Sequence, residues 1–153
     1  MREVSATFED CMPLLVRQLE SGGIVRFTAH GKSMLPLLGD SVVELTAAPR
    51  LLQKGDMALY RRTDGQFVLH RVMRVSADGS YVMCGDNQYW LESPILHEQV
   101  LAKVLRFAQN DAMISVENAV YRRYVRRRIF SRPLRAMAAR LFAALRSVSR
   151  KKI

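Results

Sequence analysis

Phe67-Val68-Leu69-His70-Arg71-Val72-Met73-Arg74-Val75-Ser76-Ala77-Asp78-Gly79-Ser80-Tyr81-Val82-Met83-Cys84 reads as strand, turn, strand. Its two ends are rich in β-branched and aromatic residues, which fit a pleated surface. Asp78-Gly79 between them is a hairpin signal, because tight hairpin turns need positive φ. The same pattern recurs on either side. Met57 to Arg62 runs into Thr63-Asp64-Gly65, and Val100 to Phe107 is separated from Met113 to Val116 by Gln109-Asn110-Asp111. Ile24 to Ala29 and Ser41 to Thr46 are two more short apolar runs, and Lys54-Gly55-Asp56 is another turn. Short strands at this spacing predict a mainly β fold, a small barrel or coiled sheet.

Helices frame the strands. Residues 7–20 carry Phe8, Cys11, Met12, Leu15 and Leu19 at helical spacing. Thr7 is the expected cap, Glu9 and Asp10 suit the positive end of the helix dipole, and Gly22-Gly23 ends the element. Pro13 would also suit a helix that begins there. Near the C-terminus, Leu134, Met137, Ala138, Leu141, Phe142, Leu145 and Val148 form one stripe, with Arg135, Arg140 and Arg146 off it. Pro133 fits the first turn of that helix. Before it, Tyr121 to Phe130 interleaves arginines with Tyr124, Val125, Ile129 and Phe130.

The charge is as uneven as the pattern. The 153 residues carry a net charge of +10, yet twelve Lys/Arg and no Asp/Glu lie from Tyr121 to Ile153. Residues 1–120 hold the other twelve Lys/Arg against all 14 Asp/Glu, a net of −2. The expected organisation is an N-terminal helix over 1–23, a body over 24–117 and a basic amphipathic tail over 118–153. Such a tail suits an anionic membrane surface or an apolar docking site, and nucleic acid less. The first 23 residues are too short for a helix-turn-helix domain, which counts against a DNA-associated repressor fragment. Cys11 and Cys84 are two isolated cysteines, expected reduced and buried rather than ligands or a disulfide framework. No signal peptide or run long enough to span a bilayer is seen, so a cytoplasmic or peripherally membrane-associated protein is expected.

Chemistry concentrates in Gly31-Lys32-Ser33-Met34-Leu35-Pro36-Leu37-Leu38-Gly39-Asp40. Gly31 permits unusual backbone angles, and Pro36 fixes its own φ and pushes Leu35 toward an extended conformation. Ser33 is thereby expected on a rigid loop between two strands, where a nucleophile could be presented. Taken alone, the segment could equally be a turn. A serine needs a base to take its proton. His70 lies inside the longest expected strand, where a polar residue wants a partner. His30 and His97 fall in loops, and Lys32 and Lys54 lack the burial that would turn a lysine into a base. Asp86, in Cys84-Gly85-Asp86-Asn87, lies just past the next strand and is expected near His70 as its orienting carboxylate.

Gly31-Lys32-Ser33-Met34-Leu35-Pro36 resembles the serine box of type I signal peptidases and of their relatives, the self-cleaving SOS-type repressors. Lys54-Gly55-Asp56-Met57-Ala58-Leu59-Tyr60 resembles the Gly-Asp strand of that clan. Leu69-His70-Arg71-Val72 resembles the His-Arg-Val segment of its histidine-base branch. Gly85-Asp86-Asn87 and Gln99-Val100-Leu101-Ala102-Lys103-Val104 resemble the Gly-Asp-Asn box and the strand after it. The resemblance covers about residues 24–107, with the boxes in the family's order. It implies a coiled, mostly β peptidase domain and a serine endopeptidase cleaving a peptide or precursor protein. Ser33 would be the nucleophile, His70 the general base and Asp86 its orienting acid, with Met34 and Pro36 on the substrate side. One oxyanion donor would be the Ser33 N–H. No metal or cofactor is implied. The chain departs from the family in three ways. It shows no transmembrane anchor. Glu92 is the one acid shortly after Gly-Asp-Asn, where the histidine branch often has an aspartate. Gly31 stands where lysine-base members carry a second serine, which leaves the second oxyanion donor open. The alternative is a catalytically inactive module of the same fold that binds a peptide or regulates secretion.

Overall fold

A computed structural model describes residues 8–150 of the chain. Thr7 lies outside these residues, as do the side chains of Phe8, Glu9 and Val148. The element order is helix α1 (Phe8–Glu20), strands β1 (Val25–Ala29), β2 (Ser41–Ala47), β3 (Met57–Arg61), β4 (Phe67–Val75), β5 (Tyr81–Cys84) and β6 (Glu92–Ile95), a 3-10 turn (His97–Gln99), β7 (Val100–Gln109), β8 (Ala112–Ser115) and helix α2 (Ala119–Arg150). The strands form one eight-stranded sheet in the order β1-β2-β7-β3-β4-β5-β6, with β8 paired to β7. Every pairing is antiparallel.

The hairpins follow local chemistry. Gly65 and Gly79 take φ of 92° and 83°, closing β3-β4 and β4-β5. Asn110 and Asp111 both take positive φ between β7 and β8, a conformation that Asn and Asp tolerate better than most residues. β6 is not among the expected strands. Glu92-Ser93-Pro94-Ile95 has no alternating apolar pattern, and proline restricts it to an edge, which is where it lies, beside β5.

Two apolar clusters sit against the sheet. The larger joins Met12, Leu15 and Leu19 of α1 to Leu38, Val43, Leu45, Leu59, Val104 and Phe107, and receives Tyr121 and Val125 from α2. The smaller gathers Leu52, Tyr60, Val72, Tyr81, Met83 and Ile95. The sheet coils: Ala29 of β1 and Phe67–Leu69 of β4 line one cavity, although three strands separate β1 from β4 in the sheet order.

Three expectations change. Cys84 is buried, but Cys11 is exposed, on the outer side of α1; both are free thiols. α1 starts at Phe8 and carries Pro13 inside it, rather than starting there. α2 likewise runs from Ala119 through Pro133 without a break. A proline in a helix interior removes one backbone hydrogen bond. Beside the gap, the Arg128 carbonyl accepts from Ser131 Oγ (3.4 Å) and Arg135 Nη2 (3.1 Å). Contacts with the body hold the helix on both sides of the proline: Tyr121 and Val125 before it, Arg135 and Ala136 after it. Residues 119–136 are thus built into the body rather than trailing from it.

Candidate active site

The loop between β1 and β2 presents Ser33. His30 Nδ1 and Asp40 Oδ1 lie 3.0 Å apart across its mouth. Gly31 has φ +116°, a conformation that glycine adopts without strain. One turn further on, Leu38 N–H donates to the Met34 carbonyl (3.0 Å). The turn after β5 clamps the loop from the other side. Asn87 N–H donates to the Ser33 carbonyl at 2.8 Å, and Asn87 Nδ2 donates to the Lys32 carbonyl at 3.1 Å. A Cβ on Gly85 would stand 2.5 Å from the Ser33 carbonyl oxygen. Gly85 is thus required by the close approach of two backbones.

His70 comes from the middle of β4, paired with Ala58 of β3, and is 1% exposed. Two groups face its Nδ1: Tyr60 Oη at 3.1 Å and Glu92 Oε1 at 3.4 Å. Tyr60 donates its single hydroxyl proton to Glu92 Oε2 at 2.8 Å. The tyrosine oxygen can therefore only accept from His70, which puts the imidazole proton on Nδ1 and the lone pair on Nε2. Arg62 grips the same carboxylate with Nε (2.8 Å) and with Nη2. Burial pushes the His70 pKa down to about 4, against the attraction of Glu92. Burial would raise the Glu92 carboxyl, but hydrogen bonds from Arg62 and Tyr60 outweigh it and hold the pKa below the usual range. At neutral pH the pair is a neutral imidazole beside an ionised carboxylate.

Asp86 does not take the orienting position expected for it. Its two oxygens are held by Arg71 Nε and Nη2, each at 2.7 Å, and Tyr124 Oη adds a third bond at 3.0 Å. Arg71 is fully buried and also donates to the Gly55 carbonyl (2.8 Å) and Tyr121 Oη (2.9 Å). The reason is the period of a strand: His70 and Arg71 are neighbours on β4 and point to opposite faces. The Arg71 face meets Asp86 and α2, and the His70 face meets Tyr60 and Glu92. Asp86 instead anchors the turn that holds the serine loop, and its own N–H lies 3.4 Å from the Met34 sulfur.

Ser33 and His70 line one cavity of about 260 Å³, together with Met34, Arg62, Leu69 and Gln88. Ser33 is half-buried, and no hydrogen bond joins its hydroxyl to His70 among the described residues. Pro36, expected on the substrate side, is exposed and is not part of this lining. Gln88 contributes a side-chain amide. Its Oε1 accepts from Gly85 N–H (3.2 Å), which orients the amide and assigns its nitrogen as the free end. His30 also lines this cavity, with its Nδ1 facing Asp40 on the exposed rim, whereas His97 Nδ1 lies 2.8 Å from Tyr81 Oη, away from the cavity. Sequence reasoning missed Tyr60, Arg62 and Gln88. Tyr60 sits two residues from Ala58, the cross-strand partner of His70, so the β3-β4 register was the signal that could have found it.

An antiparallel coiled sheet that brings a serine loop and a buried, carboxylate-paired histidine to one cavity defines a candidate for serine-based acyl transfer. Set against known proteins, the chain matches no family model, no curated protein and no solved structure.

Proposed function

We propose that the protein is a serine endopeptidase of the signal-peptidase and repressor-cleavage clan, acting on a peptide or precursor protein. On this reading the sheet is the clan's coiled peptidase fold, and the protein works in the cytoplasm or at the periphery of a membrane. The carrying observation is the tautomer of His70: with Nδ1–H committed to Tyr60 and Glu92, the basic Nε2 is the nitrogen left for a serine in the same cavity.

The steps follow. Ser33 Oγ attacks the scissile carbonyl and passes its proton to His70 Nε2. Glu92 stabilises the imidazolium through Nδ1, the part given to Asp86 by the sequence. The negative charge on the carbonyl oxygen is met by the Ser33 N–H, which has no acceptor among the described residues, and by the Gln88 amide, which fills the open place of a second donor. The imidazolium then protonates the departing amine, and water repeats the sequence on the acyl-serine. An extended substrate would lie between β1 and the start of β4, the two strands whose residues wall the cavity.

The second reading, a peptide-holding module without activity, is favoured by the missing Ser33–His70 hydrogen bond. Nucleophile–base contacts often tighten only when substrate binds, so the two readings separate in solution. The test is labelling of the full chain with a fluorophosphonate probe, mapped by peptide mass spectrometry. The peptidase reading expects an adduct on Ser33 that is lost in His70→Ala. Labelling of the native chain no greater than that of Ser33→Ala would overturn it in favour of the holding module.

A further inference from the structure

Helix α2 changes character along its length. Its first half is bound to the body through Tyr121 and Val125, and Arg128, Arg132 and Arg135 donate to the carbonyls of Asp86, Tyr89 and, from Arg128, also Leu35. From Phe130 on, its other face presents large apolar side chains to solvent. Phe130 is 83% exposed, Leu134 60%, Met137 64%, Leu141 60%, Phe142 65% and Leu145 58%. At 3.6 residues per turn Phe130, Leu134, Met137, Leu141 and Leu145 fall within about a quarter of a turn, on the side opposite Tyr121 and Arg132, and Phe142 lies at the edge of that stripe. Arg140 and Arg146 fall on its two flanks, about a third of a turn from its midline.

A second apolar feature lies beside the helix. Tyr89, Trp90 and Leu91 are all exposed, with the two rings packed edge-on at 5.3 Å. Arg132 ties this loop to α2 through the Tyr89 carbonyl. Arg132 faces away from the stripe, so the loop lies on the other side of α2. Isolated exposed apolar residues are ordinary, but the set along one face of α2 marks a contact surface.

We propose that the exposed stripe of α2, from Phe130 to Leu145, docks on an anionic lipid surface. The proposal goes beyond the peptidase reading, since docking is measured without any turnover. Charge selects the occupant. From Tyr121 to Ile153 there are twelve Lys/Arg and no Asp/Glu, so a second copy would set like charges against each other along the contact. A phosphate backbone would reward arginines at the centre of the exposed face, where this helix has leucine and phenylalanine. A bilayer rewards both features. The stripe sinks to the acyl boundary while Arg140 and Arg146 reach anionic headgroups. Among the described residues no helix is long and apolar enough to cross a membrane, so contact through this helix is with the surface.

The test uses the full chain with two vesicle types, phosphatidylcholine alone and phosphatidylcholine with phosphatidylglycerol. Co-sedimentation should favour the anionic vesicles by about tenfold or more and weaken with salt. Leu141→Glu with Phe142→Glu, both exposed, should abolish binding and leave the thermal unfolding curve unchanged. Absence of binding to anionic vesicles, or undiminished binding by the double variant, overturns the proposal. A dimer in sedimentation equilibrium that the same variant dissociates overturns it in favour of a second copy. Ser33 labelling is independent of all these outcomes, so failure here leaves the peptidase reading standing, and the reverse holds too.

Discussion

Asp86 and Glu92 are both acids close to the histidine strand, and they should fail in different ways. Glu92→Gln removes the charge facing His70 Nδ1, so hydrolysis should fall roughly 10²–10⁴-fold while the chain stays folded. Asp86→Asn leaves the fully buried Arg71 guanidinium without its counter-charge, and should cost about 3–5 kcal/mol in urea unfolding. If the chain is the proposed peptidase, Gln88→Leu takes away the proposed second oxyanion donor, so kcat should drop about 10²–10³-fold with KM little changed. Acid should weaken the fold through His70. Its folded pKa lies near 4 and its ordinary value is 6.5, so below 6.5 the unfolded chain takes up the proton first. The neutral buried imidazole is fully compatible with folding above pH 6.5, and stability is lost as pH falls toward 4, by up to about 3 kcal/mol. Glu92, with its depressed pKa, adds a loss of the same sign at lower pH. Unfolding midpoints measured from pH 7 to pH 4 should flatten in His70→Gln. A slope unchanged by that variant would assign the acid sensitivity elsewhere.

The serine loop takes its shape from elements that are distant in sequence. The Gly85–Gln88 turn bonds it directly, and α2 braces that turn through Tyr124, Arg128 and Arg135. Gly85→Ala places a methyl group against the Ser33 carbonyl oxygen, so the two segments must part. Ser33 labelling should fall steeply in that variant, while circular dichroism reports the sheet intact. How much of this was readable follows from the range of each cause. The hairpins at Asp64-Gly65 and Asp78-Gly79 were, because turn chemistry acts over a few residues. Ser33 and His70 were singled out for the same reason, from a loop composition and from a polar residue in an apolar strand. β6 was not, because its place depends on pairing with β5 and not on its own pattern. Glu92 was legible as the one acid after Gly-Asp-Asn, but not as the acid that faces His70, since the coil of the sheet decides which acid faces which side of β4. The continuity of α2 through Pro133 was hidden too, because proline's local preference yields to side-chain bonds and packing on the body.

In the molecule as a whole, the sequence divides by charge and the structure divides elsewhere. The step at residue 121 is plain in composition, from a net of −2 before it to twelve uncompensated cations after it. It suggests a body ending near Glu117 with a dispensable tail. The packing places the division within α2 instead. Tyr121 and Val125 belong to the main core, and Tyr121 Oη and Tyr124 Oη complete the bonding of the buried Arg71–Asp86 pair. A chain ending at Glu117 would lose the buried side chains of Tyr121, Val125 and Ala136, the two larger worth roughly 1.5–3 kcal/mol each when fully buried, and would open that pair to water. One ending at Ala139 would keep every one of these contacts and lose half of the exposed apolar stripe, Leu141, Phe142 and Leu145. Urea unfolding should therefore show the first chain destabilised by at least about 3 kcal/mol, or unfolded outright. The second should lie within about 1 kcal/mol of the full chain, since it loses only surface-exposed residues. Equal stability of the two truncated chains would return α2 to the status of a tail and remove its bracing part in the serine site.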